Sequence, residues 1–80
     1  MPIRKTIVKA QAGVRLERIE TLSRQGKAVQ QVFKVSTLRE RQPVVVADQD
    51  QAEDAFDLEV VASLMDPIAQ ELVKRGWRDG

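Results

Sequence analysis

The stretch Gly13–Ser36 reads GVRLERIETLSRQGKAVQQVFKVS, and whether it folds as a helix or as two strands decides the architecture of this chain. Leu16, Ile19 and Leu22 recur at a spacing of three, with Gly26 placed as a helix-terminating glycine. Against the helix, SRQGK has the length and the glycine of a hairpin connection. The following AVQQVFKVS sets Val29, Gln31, Phe33 and Val35 on one strand face, and Val and Phe suit strands. A strand needs a neighbour, and the nearest is the chain just before the turn. The expectation is therefore a hairpin of roughly 14–23 with 28–36, although 14–25 retains a helical alternative. The Glu17–Arg18 pair interrupts clean alternation, which suggests a bulge or a late strand start there.

Upstream, IRKTIVKA (3–10) is β-prone and fits an edge strand. Downstream, Pro43 cannot donate to a central ladder, and Val44, Val45 and Val46 read as a brief buried strand. From Asp48 the pattern becomes helical. Asp50 and Glu53 form a D-x-x-E arrangement resembling a capping box, with Asp50 as the expected cap and the helix running to about Met65. In MDPIAQELVKRGW, Asp66 is an N-cap candidate, Pro67 sits at the first helical position and Gly76 follows the last turn. Ile68, Leu72 and Val73 form its expected apolar stripe, onto which Trp77 can fold. The fold class is thus α+β: a small antiparallel sheet of about three strands followed by two C-terminal helices, in a single domain over 1–80.

Eighty residues without cysteine or histidine exclude disulfides and thiolate or imidazole metal sites. A domain this small buries only roughly 60% of its unfolded surface, so well-packed helices or a partner chain are the natural supplements. Charge divides sharply. Residues 1–42 hold ten Lys/Arg against three acids, and residues 43–80 hold three against nine. Such asymmetry points to a charged partner, or to the two halves facing each other within the fold or across a dimer. The N-terminus lacks the apolar core of a signal peptide, and no segment has the roughly 20 apolar residues that span a bilayer. The expected setting is the cytoplasm, without membrane contact.

The acidic run DQDQAEDAFDLE (48–59) partly imitates a calcium loop through Asp48, Asp50 and Glu59. Ala52 stands where a ligand is required and Glu53 where the turn needs glycine, so no metal site is expected. As a helix, the run puts Ala52, Phe56, Val60 and Leu64 on one stripe, while Leu58, Val61 and Met65 lie nearly opposite. Two apolar faces exceed what one small domain readily covers, although the hairpin and the short second helix could sandwich this helix within one chain. Phe56, Leu58, Val61, Met65 and Trp77 are therefore the expected dimer or partner interface, with a twofold homodimer the simplest form. Asp50, Glu53, Asp54 and Asp57 make an acidic surface able to dock on a basic groove, as an inhibitor would. Arg15, Arg18, Arg24, Lys27 and Lys34 are the candidate nucleic-acid contacts of an accessory protein, but few aromatic residues accompany them as a stacking platform. With no His, Cys or Tyr, catalysis has little to work with and no cofactor is implied. The reading is a non-enzymatic interaction or regulatory protein.

Overall fold

A computed structural model describes residues 2–38 and 42–76. The decisive stretch is a hairpin. Strands β1 (Ile3–Gln11), β2 (Val14–Leu22), β3 (Ala28–Ser36) and β4 (Val44–Val46) form one antiparallel sheet in the order β1-β2-β3-β4. Helices α1 (Gln49–Leu64) and α2 (Pro67–Lys74) follow.

Each reversal has its own chemistry. Between β1 and β2, Ala12 and Gly13 both have positive φ, 53° and 80°, as a primed two-residue hairpin turn demands. A side chain at Gly13 would also bring its Cβ to 2.5 Å from Leu38 Cδ1. Between β2 and β3, Ser23 N–H donates to Lys27 C=O at 2.7 Å, and the Ser23 hydroxyl accepts from Lys27 N–H at 3.2 Å. Gly26 supplies the left-handed residue, φ 81°.

The bulges differ from expectation. Through Glu17–Arg18 β2 pairs residue for residue with β3. The extra residues are Val8 in β1, opposite the Leu16–Glu17 step, and Val29 in β3. Thus the irregularity lies in the partner strands, and Val29, without a partner in the ladder, is exposed rather than in the core with Phe33 and Val35. β4 is also corrected: it pairs only with β3, so it is an edge, with Val44 and Val45 exposed and Val46 half-buried.

Side chains directly opposite one another in an antiparallel sheet share a face. Val14, Leu16, Phe33 and Val35 face α1 and close a core with Ala52, Phe56 and Val60. Leu64, expected on that stripe, is instead exposed. A spacing of four drifts about 40° per step around a helix, so by the fourth member the row has turned off the sheet. Ser63 takes the inward place, its hydroxyl donating to Ala12 C=O at 2.6 Å.

Both helix starts are capped by aspartate. The α1 cap is Asp48, not Asp50: its carboxylate accepts from Asp50 N–H at 2.9 Å. Glu53 reaches Lys9 of β1 instead of closing a capping box, with Nζ to carboxylate 3.4 Å. Asp66 caps α2 by accepting from Ile68 N–H at 3.0 Å, with Pro67 at the first position. The buried residue of α2 is Ala69, with Leu72 half-buried and Ile68 exposed, while Val73, 36% exposed, sets its side chain beside Gly13 of the β1–β2 turn.

Candidate functional site

The most distinctive surface is the solvent side of α1. Leu58 is 72% exposed, Val61 57% and Met65 80%; Leu64 at 53% and Ile68 at 55% extend the patch across the α1–α2 junction. At about 100° per residue Leu58, Val61 and Met65 fall within about 60° of one another, diametrically opposite Ala52, Phe56 and Val60. The second apolar face thus lies in the open. Phe56, expected beside them, is instead a core residue at 3% exposure, with the Lys9 ammonium 5.8 Å from its ring centroid. Trp77 lies outside the described residues.

The acids separate in the same way. Asp50, Asp54 and Asp57 are exposed on the solvent side of the first turns of α1, continuing the line of Leu58, Val61 and Met65. Glu53 turns toward the sheet through its Lys9 pair. The outer face is therefore acidic in its N-terminal half and apolar in its C-terminal half, and α1 carries no lysine or arginine.

The basic residues do not converge. Arg15 and Lys34 lie on the sheet face away from α1, and Arg18 lies on the α1 side. Arg24 and Lys27 occupy the exposed β2–β3 turn. Arg15 Nε lies 3.4 Å from the Glu17 carboxylate, and Arg18 Nε 3.4 Å from that of Glu20. Glu20 also receives two hydrogen bonds from the Arg4 guanidinium, both 3.1 Å. Those bonds, aided by the charges of Arg4 and Arg18, hold its carboxyl below the usual carboxylate range, and they raise Arg4 in turn. This ion cluster ties β1 to β2.

A cleft of about 90 Å³ between the end of β3 and the helices is lined by Thr37, Glu59, Ser63 and Asp66 among others. That is room for a few waters, well below the size of ordinary small-molecule sites. Among the described residues, no group of three or more His, Cys, Asp or Glu is placed to hold a metal ion, and no helix is long and apolar enough to cross a membrane.

Together these features define a small α+β protein with an uncovered acidic and apolar helix face. No protein-family model matches the chain, and neither a curated protein nor a solved structure matches it.

Proposed function

We propose that this chain is a non-enzymatic interaction or regulatory protein, acting in the cytoplasm, whose working surface is the solvent side of α1. A second copy is its simplest partner. The carrying observation is the exposure of Leu58, Val61 and Met65 on one helix face opposite the core. Contiguous apolar area of this kind has a standing tendency to leave water, at roughly 25 cal/mol per Å² removed. Asp50, Asp54 and Asp57 beside it would orient the partner and favour a basic one. Light scattering over a wide concentration range tests the reading: the mass should rise above one chain, and Val61→Lys should abolish the rise. A chain that remains monomeric, and captures no protein through this face, contradicts it.

The exposed Arg24 and Lys27 of the hairpin turn favour a second reading, a nucleic-acid accessory role. Titration with random duplex DNA at about 50 mM salt, where nonspecific affinity is strong, tests it. No binding under those conditions removes it.

A further inference from the structure

Both outer sides of this two-layer protein expose apolar side chains. Across the sheet face away from α1, the register aligns Ile7, Glu17, Lys34 and Val45 in one row and Lys5, Ile19 and Val32 in the next, with Ile3 beyond. Ile3, Ile7 and Val45 are exposed and Ile19 and Val32 half-buried, and no described helix packs there. The charges on this face are Lys5, Arg15 and Lys34 against Glu17, a net positive balance. The outer face of α1 has the opposite balance, with Asp50, Asp54 and Asp57 and no cation.

We propose that the outer face of α1 docks on the open sheet face of a second copy, so that the chain assembles head to tail. The inference rests on α1 being an interaction surface and deepens that reading by naming what the surface meets.

Four observations select this occupant. A twofold contact, α1 on α1 or sheet on sheet, would cover one apolar face of each chain and leave the other in water. A head-to-tail contact covers both. Twofold contacts also bring surfaces of like sign together, whereas helix on sheet joins opposite signs. The spacing agrees as well. Lys5 and Lys34 are two strands and two residues apart, about 12 Å, and Asp50 to Asp57 spans about 10 Å along α1 with Asp54 between them. Helix on sheet is, in addition, the packing that the protein already uses inside, where Ala52, Phe56 and Val60 lie on Leu16, Phe33 and Val35. Because the two surfaces lie on opposite sides of the molecule, they cannot both be satisfied in a pair. The assembly grows into a ring or an open chain.

The apolar content of the sheet face decides against phosphate as its occupant. Ile3, Ile7, Ile19, Val32 and Val45 offer a polyanion nothing, and the cations between them are few.

The test uses two charge-altered variants at exposed or strand-rim positions: Asp54→Lys with Asp57→Lys on α1, and Lys5→Glu with Val45→Glu on the sheet. Sedimentation velocity of the unaltered chain should give a mass that passes two chains as concentration rises and falls as salt is raised. Each variant alone should associate about tenfold or more weakly, and an equimolar mixture should recover the loss, since each altered face then meets a complement. If the sheet variant alone still pairs like the unaltered chain while the α1 variant does not, the head-to-tail inference is overturned and the α1 reading stands. If the α1 variant associates normally, both fall. An unaltered chain that stays monomeric but binds duplex DNA through Lys5 also overturns it, in favour of nucleic acid. Circular dichroism of each variant, expected to match the unaltered chain, separates lost association from lost fold.

Discussion

The two sides of α1 have similar apolar content and opposite fates. Ala52, Phe56 and Val60 vanish beneath the sheet, while Leu58, Val61 and Met65 stand in water on the far side. The difference is topological. A four-stranded sheet with two helices after it supplies one covering layer for α1, and α2 is too short and too far along the helix to supply a second. The inner face accounts for the fold; the outer face is apolar for a reason the fold itself does not provide.

The inner face of α1 is the more sensitive to substitution. Phe56→Ala should lower unfolding stability by about 3–5 kcal/mol, the usual range for emptying an aromatic core position. In a domain of this size that is most of the margin, and urea unfolding will measure it. Leu58→Gln with Met65→Gln should do the reverse: the stability of the isolated chain stays within about 0.5 kcal/mol, while self-association weakens about tenfold, or about 1.4 kcal/mol. An unfolding midpoint that collapsed in this pair would mean that the outer face is structural after all.

Smaller effects sharpen the account. Asp48→Ala should cost about 1 kcal/mol by leaving Asp50 N–H without its cap, and Asp50→Ala clearly less. Equal losses would restore Asp50 as the cap. Glu20→Gln probes the ion cluster that joins β1 to β2. Since Arg4 holds the native Glu20 carboxyl below its ordinary value, its stabilising effect is complete above the unfolded carboxylate value of about 4.3 and is lost as pH falls through the native value. Thermal unfolding of the Gln variant should therefore show a shallower acid dependence below about pH 4.

Much of this was legible in the residues. SRQGK with its glycine, followed by alternating Phe33 and Val35, favoured the β2–β3 hairpin because turn geometry is local, while the spacing of Leu16, Ile19 and Leu22 kept a helix open. Asp66-Pro67 with Gly76 bounded α2 for the same reason, and the opposed rows of α1 follow from periodicity alone. What stayed hidden depends on partners distant in sequence. Asp48 and Asp50 can each cap, and Glu53 is drawn to Lys9, a residue 44 positions earlier, so the capping-box pattern misplaced the helix start. The Val8 bulge is set by how β1 meets β2, and the edge position of β4 by sheet order. Neither is written in a local pattern. Of the surface residues, Leu58, Val61 and Met65 were found from spacing. The apolar sheet face was missed, because Ile7, Ile19, Val32 and Val45 become one surface only when four strands are laid side by side.

On the proposed function, the outer face of α1 is covered by another chain in solution. A dilution series followed through backbone amide resonances tests it most directly. Shifts that change with concentration should concentrate in Asp50–Ile68 and in the strand residues of the open sheet face, with the buried core rows unmoved. Resonances of Leu58, Val61 and Met65 that are indifferent to concentration, with no added protein able to shift them, would contradict the account.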